Sequence, residues 1–264
     1  MSIGSASATT VVITSCNRHD LLARTLQSFV DFNTDPHIAR ILVVEDGPGD
    51  PTEVCRRYGA DLIRCGERVG QIRAIDLAYS KVETPFIFHL EDDWEFYRSG
   101  FVEKSRVILD IDPSTLQVWL RAWDDTNKHP RSFESPDGSF GVMATNHAGC
   151  WHGFTFNPGL RRLADYKRLG TFAGQTLTLK VVTRNPMVLP SALIYEAEAS
   201  VFYHRLGYRA VILDKSGYVR HIGEKRHVRH AQDQAVNLPS DALCPCGSGK
   251  QYKDCHGQTQ RPPI

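Results

Sequence analysis

Short runs of β-branched and apolar residues alternate with amphipathic helical stretches from Thr10 onwards. The run TTVVIT predicts a first strand, and His19 to Asp31 predicts a helix because its apolar residues recur at i, i+4, i+7 and i+8. Later runs are bounded by Gly and Pro, and they predict the strands ARILVVEDG, DLIRC and PFIFHLED and helices over Thr52 to Tyr58 and Val69 to Ser80. This order is typical of an α/β fold in which helices flank a mixed, mostly parallel sheet.

The pattern is less regular after Trp94. Residues 124–160 are rich in Asp, Asn, His, Pro, Gly and Ser, which predicts loops over a site. The alternation returns with a predicted helix near Ala197 to Leu206 and the strands YRAVILD and YVRHIG. A polar, His-rich stretch typical of a linker follows. We therefore expect one domain over 1–228, a linker over 229–241 and a small C-terminal unit over 242–264.

The charges of the chain nearly balance. Lys and Arg total 31 against 30 for Asp and Glu, so the net charge of +1 creates no field that would attract nucleic acid or an anionic membrane. The first residues, MSIGSASATT, contain no basic segment followed by an apolar core, and no stretch approaches the ~20 apolar residues of a membrane helix. We therefore expect a soluble cytoplasmic protein that meets an anionic ligand at a local site.

Two predicted strands end in acidic residues. The second ends in Glu45 and Asp46, and the fourth runs into Glu91, Asp92 and Asp93. Ligands of an open parallel sheet bind beyond the carboxyl ends of its strands, where these side chains would meet. Three consecutive carboxylates repel one another unless a cation or a donor-rich ligand neutralises them. A small number of oxygen ligands suits Mg²⁺ or Mn²⁺, which keep water and complete their coordination with a diphosphate.

The acidic triplet has a second interpretation, a solvated turn that caps the next helix. The loop after the first strand bears on this choice. Its sequence, TSCNR, lacks the glycine-rich pattern of dinucleotide-binding folds and P-loop enzymes. A diphosphate at this edge would therefore need a metal ion, which favours the metal-binding interpretation.

The order of these motifs resembles that of GT-A glycosyltransferases, particularly the large inverting family 2. The resemblance spans residues 9–224 and is carried by VVITSCNRHDLLARTLQSF, ILVVEDGPG and ERVGQIRAIDLAYSKVETPFIFHLEDDWEF. It implies a GT-A fold and transfer of a sugar from a nucleotide-sugar donor to a hydroxyl acceptor with Mn²⁺ or Mg²⁺. It also implies that Asp46 contacts the nucleoside and that Glu91 and Asp92 lie near the ribose. Asp93 would hold the metal, although Glu91 stands where a D-x-D motif has its first Asp.

Inverting transfer needs a carboxylate that accepts the proton of the acceptor hydroxyl. The segment YEAEASVFYHRLGYRAVILDKSGYVRHIG resembles the family's later block and offers Glu196 and Glu198. Residues two apart turn to different sides of a helix, so we expect one of them to face the site and favour Glu198. The family's Glu-Asp pair is replaced by Glu-Ala-Glu, which leaves both candidates open. The resemblance further implies that His221 is a metal ligand, against the alternative of an ordinary surface histidine.

Three further side chains are candidates for binding the donor. Thr14 lies in the first strand, and the guanidinium groups of Arg18 and Arg73 could meet phosphate oxygens. The alternative for each arginine is a surface cation or an ion-pair partner. The sequence alone does not choose between these roles.

The C-terminal segment CPCGSGKQYKDCHG combines three of the seven cysteines with a histidine and has almost no apolar core. The other four cysteines are scattered, which indicates reduced thiols. Four such ligands suit tetrahedral zinc, and structural zinc can order a segment that lacks a core. The segment closely resembles the SEC-C motif of the secretion ATPase SecA, which implies zinc ligation by Cys244, Cys246, Cys255 and His256. By the same analogy, its protein partner would be a SecB-like chaperone.

These observations favour a metal-dependent glycosyltransferase with a structural zinc. One alternative is a catalytically inactive GT-A-like module that recruits a protein partner through the zinc motif. A second alternative is a nucleotidyltransferase, but the glycine- and basic-rich opening loop expected of that class is missing from TSCNR.

Overall fold

The computed structural model describes residues 6–147, 149–176, 191–223, 226 and 251. These residues form eleven strands and six helices. The strands are β1 (Thr9–Ser15), β2 (Ile38–Glu45), β3 (Asp61–Arg64), β4 (Phe86–Glu91), β5 (Trp94–Phe96), β6 (Thr115–Trp119), β7 (Arg131–Glu134), β8 (Phe140–Met143), β9 (Gly159–Arg162), β10 (Arg209–Leu213) and β11 (Val219–His221). The helices are α1 (His19–Phe32), α2 (Thr52–Arg57), α3 (Gln71–Tyr79), α4 (Phe101–Ile111), α5 (Leu163–Leu169) and α6 (Ser191–Arg205).

Nine strands form one mixed sheet in the order β3-β2-β1-β4-β9-β6-β10-β8-β7, and β5 pairs with β11 in a second sheet. β1 is parallel to β2 and β4, and β2 is parallel to β3, so the first half of the large sheet is parallel. β9 is inserted antiparallel between β4 and β6, and β8 is antiparallel to β10. The predicted α/β fold is confirmed, and its parallel half brings the carboxyl ends of β1, β2 and β4 to one edge.

Apolar side chains cover both faces of the large sheet. In β1, Val11 and Ile13 belong to one buried cluster and Val12 to the other, as the two-residue period of a strand requires. The first cluster includes Leu26 of α1 and residues of α4, and the second includes Ile75 of α3 and residues of α6. Full burial of each such side chain contributes about 1.5–3 kcal/mol. The helices therefore hold the sheet from both sides and keep its strand ends in position.

The structure agrees with the predicted helices and differs from the predicted loops. α1, α2 and α3 lie close to their predicted bounds, and α6 extends the predicted helix towards the N-terminus. The stretch 124–160 was expected to be loops, but it contains β7 and β8. These strands have four residues each, and β7 is a largely exposed edge strand, so neither carries an apolar alternation long enough to recognise. The sequence prediction also omits α4, whose exposed Val107 and Ile111 blur its apolar face.

The domain division predicted from the sequence stays a prediction. The described part of 1–228 contributes all the strands and helices above. The predicted linker 229–241 and the C-terminal unit 242–264 lie outside the described residues, apart from Gln251. Within the described ranges, no helix has the length and apolar character needed to cross a membrane.

Candidate active site

The ends of β1, β2 and β4 form an acidic edge. Because these strands are parallel, Thr14 lies opposite Val44 on one side and Glu91 on the other. The Asp92 N–H donates a hydrogen bond to the Thr14 carbonyl, with an N···O distance of 3.0 Å. Thr14 is therefore joined to the acidic triplet through its main chain, and the triplet lies beside the loop that connects β1 to α1.

Thr25 of α1 holds the turn that carries the triplet. Its hydroxyl donates to the Asp92 carbonyl at 2.8 Å and accepts a hydrogen bond from the Trp94 N–H at 3.1 Å. The Trp94 indole N–H in turn donates to the Glu91 carboxylate at 3.3 Å. Our sequence reasoning missed Thr25, although a hydroxyl on the buried, apolar face of α1 is a recognisable signal.

Arg18 forms ion pairs with two members of the triplet. Its guanidinium binds the Asp92 carboxylate through two nitrogens, and its Nη1 lies 2.6 Å from Asp93 Oδ2. The same Nη1 donates to the Arg226 carbonyl at 3.2 Å. The sequence left open whether Arg18 binds phosphate or forms an ion pair, and the structure displays the ion pair. Its partners are Asp93, the predicted metal ligand, and Asp92, which is predicted to lie near the ribose.

His221 and Asp93 meet at the end of β11. The His221 Nε2 lies 3.2 Å from Asp93 Oδ2, and the Ile222 N–H donates to the Asp93 carbonyl at 2.8 Å. Gly223 packs so closely that an added Cβ would lie 2.2 Å from Asp93 Oδ2. The pairing of β11 with β5 thus brings together two predicted metal ligands that are far apart in the sequence.

The residues at this edge fit a divalent cation that takes its remaining ligands from water and substrate phosphates. Asp93 Oδ1 is buried and has no hydrogen-bond partner among the described residues, so a strong acceptor stands beside His221 without a donor. Within the same residues, no group of three or more His, Cys, Asp or Glu side chains could hold a metal by itself. Two protein ligands suit Mg²⁺ or Mn²⁺, which keep several waters and bind substrate phosphates.

Burial makes the three carboxyl groups unequal. Burial and then the Asp93 charge raise the pKa of Glu91 to about 8, so its carboxyl is largely protonated at neutral pH. Burial raises the pKa of Asp92 to about 6, although the Arg18 charge opposes this shift. Burial also acts upwards on Asp93, but hydrogen bonding from His221 and the Arg18 charge outweigh it and leave the Asp93 pKa below its usual range. At neutral pH the negative charge of the triplet therefore rests on Asp93 and Asp92, and Glu91 is the largely neutral member.

The Asp46 carboxylate binds the start of α3. It accepts the Val69 N–H at 2.6 Å and the Gly70 N–H at 3.1 Å. Gly70 has a φ of 93°, a conformation that favours glycine, and it precedes the first residue of α3. Asp46 therefore shapes the loop beside the acidic edge, and its predicted contact with a nucleoside stays a prediction.

The two glutamates of α6 have different surroundings. Glu196 accepts the Phe156 N–H at 2.5 Å and the Thr155 hydroxyl at 2.9 Å, and its charge contributes to the raised pKa of Glu91. Burial raises the pKa of Glu196 to about 7. Burial raises the pKa of the Cys150 thiol, and the charge of Glu198 adds to this effect. Glu198 therefore lies near Cys150. Glu196 is thus electrostatically linked to the acidic edge, and Glu198 to the loop around Cys150.

The structure does not bring every candidate to this edge. Arg73 is exposed on α3, and it takes part in no hydrogen bond or ion pair within the described part of the chain. The predicted zinc ligands Cys244, Cys246, Cys255 and His256 lie outside the described residues. The candidate site is therefore built from the ends of β1, β2 and β4, together with residues of β11, α1 and α6.

A parallel half-sheet with acidic strand ends and an antiparallel strand inserted before β6 defines the GT-A class of nucleotide-sugar-binding folds. The family model of glycosyl transferase family 2 matches residues 10–167, more than half of the chain. The chain belongs to glycosyl transferase family 2. The SEC-C motif matches residues 242–258, in agreement with the predicted resemblance.

Solved glycosyltransferases share the fold at low sequence identity. The mannosyltransferase PcManGT from Pyrobaculum calidifontis, in complex with GDP-Man and Mn²⁺, is 16% identical with a TM-score of 0.58, over 83% of this chain and 58% of its own. S. aureus TarS 1–349 in complex with UDP-GlcNAc is 15% identical with a TM-score of 0.60, over 89% of this chain and 63% of its own. This chain thus spans about three fifths of either structure.

The C-terminal segment resembles part of a different protein. SecA, the protein translocase subunit of Hyphomonas neptunium, is 50% identical over 36 residues, which are 13% of this chain and 4% of SecA. SecA of Campylobacter concisus is 68% identical over 22 residues, which are 8% of this chain and 2% of SecA. The similarity therefore concerns a short segment and does not extend to the translocase as a whole.

Proposed function

We propose that the protein transfers a sugar from a nucleotide-sugar donor to a hydroxyl-bearing acceptor with a divalent cation. The observation that carries this proposal is the acidic edge itself. Asp93 presents a buried carboxylate oxygen that has no hydrogen-bond donor among the described residues and stands beside His221, and the charge of Glu196 acts on Glu91. Family membership supports the reaction class, and two structural relatives bind GDP-Man with Mn²⁺ and UDP-GlcNAc.

Asp93 and His221 would hold Mn²⁺ or Mg²⁺. The ion would neutralise the charge of the diphosphate leaving group when it is bound. Asp93 remains ionised at neutral pH because hydrogen bonding from His221 and the charge of Arg18 outweigh its burial. Glu91, with its pKa of about 8, is largely neutral at pH 7 and donates or accepts hydrogen bonds without adding a full charge beside the phosphates.

Glu196 is our candidate for the general base. During inverting transfer, the acceptor oxygen forms a bond to the anomeric carbon as the bond to the diphosphate breaks, and a carboxylate accepts the hydroxyl proton. A base is most effective when its pKa is near the working pH, and burial raises the pKa of Glu196 to about 7. The sequence favoured Glu198, whose charge acts on the Cys150 thiol, and we prefer Glu196 because its charge acts on Glu91 at the acidic edge.

The SEC-C match supports a structural Zn²⁺ bound by Cys244, Cys246, Cys255 and His256. Its similarity to SecA makes a SecB-like chaperone the partner to test. In this proposal, the zinc unit serves recruitment, and the acidic edge serves chemistry.

A thermal-shift panel tests the transferase proposal directly. Purified protein is heated with UDP-, GDP-, dTDP- and CMP-sugars, with Mn²⁺ or with EDTA. One nucleotide class should raise Tm by about 5–10 °C at a donor concentration near 100 Kd, because it binds only the native state. The shift should disappear with EDTA and in Asp93→Asn.

The matched control for this panel is Asp61→Asn. Asp61 is an exposed carboxylate in β3 that pairs with Arg40 far from the acidic edge, so the variant should keep the donor response. A folded, zinc-loaded protein that responds to no donor would overturn the transferase proposal and favour the catalytically inactive recruitment module.

A further inference from the structure

A buried arginine lies in β9, inside the large sheet. Arg161 of β9 is 3% exposed and lies directly opposite Ile87 of β4 and Gln117 of β6. Its Nη2 donates to the Thr155 carbonyl at 3.0 Å. Its Nε and Nη1 have no hydrogen-bond partner among the described residues. A guanidinium buried in this way needs a nearby negative charge, since burial of an unpaired charge is costly.

The groups that face Arg161 identify that negative charge. Burial and then the Arg161 charge lower the pKa of His89 well below its usual range, so His89 is neutral. Burial raises the pKa of Tyr79 to about 12, so its hydroxyl is neutral as well. Tyr203 of α6 also stays neutral, because burial raises its pKa. Among the described carboxylates, the Arg161 charge acts on Glu196, where it adds to the hydrogen bonds from Phe156 and Thr155 in opposing the effect of burial.

The same arginine supports the segment that binds Glu196. Arg161 is hydrogen bonded to the Thr155 carbonyl, and its guanidinium lies 5.3 Å from the centre of the Phe154 ring. The Thr155 hydroxyl and the Phe156 N–H then donate to Glu196 Oε1 at 2.9 and 2.5 Å. Loss of Arg161 would therefore disturb both the charge and the hydrogen bonds of this carboxylate.

We propose that Arg161 is the positioning residue for Glu196: it fixes the Thr155–Phe156 segment whose two hydrogen bonds hold the carboxylate, and its buried guanidinium favours the ionised form of that carboxylate. The proposal rests on the proposed role of Glu196 as the base. When Glu196 accepts a proton, Arg161 loses its negative partner, so Arg161 also favours return of that proton to solvent. The Glu91 carboxyl at the end of β4 also interacts with Glu196, and each of these two carboxylates disfavours ionisation of the other.

The test measures the titration of Glu196 without any donor or acceptor. Protein labelled with ¹³C at glutamate Cδ is titrated by NMR, and the Glu196 signal is assigned from its loss in Glu196→Gln. We expect Arg161→Gln to raise the midpoint of the Glu196 titration by at least one pH unit and Arg161→Lys to restore most of that shift. Arg168→Gln, which removes an exposed charge that stacks on Tyr208, should leave the midpoint unchanged. An unchanged midpoint in Arg161→Gln overturns the proposal.

Thermal unfolding at pH 8 keeps the proposal testable if Arg161→Gln folds poorly. The loss of Tm caused by Arg161→Gln should be smaller in the Glu196→Gln background than in the wild type, because the two charges depend on each other. An equal loss of Tm in both backgrounds overturns the proposal. A double variant that fails to fold while Arg161→Gln alone still folds also overturns it. Neither measurement depends on sugar transfer, so failure here is distinct from failure of the donor panel.

Discussion

Arg18 and Asp93 form an ion pair at the proposed metal site. The Arg18 Nη1 lies 2.6 Å from the same Asp93 oxygen that faces His221, while the second Asp93 oxygen has no donor among the described residues. A cation at Asp93 would meet the repulsion of the guanidinium and would share the carboxylate with it. In the proposed site, Arg18 would therefore weaken cation binding at Asp93, although it pairs with the charges of the triplet.

The first prediction concerns this competition. Arg18→Gln should bind Mn²⁺ several-fold more tightly than the wild type, since a charge-pair change of about 1 kcal/mol alters affinity roughly five-fold. Electron paramagnetic resonance of free Mn²⁺ measures the affinity without any sugar donor. Arg24→Gln, which removes an exposed α1 cation paired with Glu95, is the control and should not change it. Weaker Mn²⁺ binding in Arg18→Gln would show that the arginine orients Asp93 rather than competing at it.

The second prediction concerns the pH dependence of stability. Burial raises the pKa of Glu196 from its ordinary value of 4.5 to about 7, so the native state binds this proton more tightly than the unfolded chain does. The wild type should therefore lose up to about 3 kcal/mol of stability from this group as pH rises from 4.5 to 7. Glu196→Gln should lack that loss. Urea unfolding at pH 5 and pH 8 measures it, and parallel pH dependences of the two proteins would contradict the pKa shift.

At the scale of elements, α1 determines the shape of the acidic turn. The sequence places α1 through its apolar periodicity, and the packed helix then presents Thr25 to the chain between β4 and β5. β11 closes the same turn from the other side, where His221 and Gly223 contact Asp93. A turn of consecutive acidic residues is thus held by two elements that are distant from it in sequence.

The third prediction tests the hold of α1 on this turn. Thr25→Val keeps the shape of the side chain but removes the hydroxyl, which leaves the Asp92 carbonyl and the Trp94 N–H without that partner. The variant should lose about 1–3 kcal/mol of stability and bind Mn²⁺ more weakly. Thr25→Ser should recover most of both properties. If Thr25→Val loses stability but keeps its Mn²⁺ affinity, Mn²⁺ binding does not depend on the contact between α1 and the turn.

At the scale of the whole molecule, the chain joins two units with separate sequence relatives. Residues 10–167 match the glycosyltransferase family, and residues 242–258 match SEC-C. The side chains that form the acidic edge all lie at or before His221, and Gly223 and Arg226 add contacts to it. This separation supports one unit for chemistry and one for recruitment.

The fourth prediction follows from that separation. Truncation after Ala235 should remove about one equivalent of zinc, measured by inductively coupled plasma mass spectrometry. The thermal shift produced by the donor with Mn²⁺ should survive, because the residues of the acidic edge remain. Loss of the donor response in a truncated protein that is still folded would assign the C-terminal unit a part in the donor site.

The sequence by itself determined the parallel half-sheet and the positions of its acidic ends, because strand and helix periods and strand termini are local properties of the chain. It also determined both family matches through contiguous motifs. Only the tertiary structure decided which side chains meet: Arg18 with Asp92 and Asp93, and Arg161 with the segment that binds Glu196. The physical reason is that such pairs join residues from different elements, and their distances depend on how helices pack on the sheet. Short edge strands such as β7 were missed for the related reason that their stability comes from neighbours rather than from their own pattern.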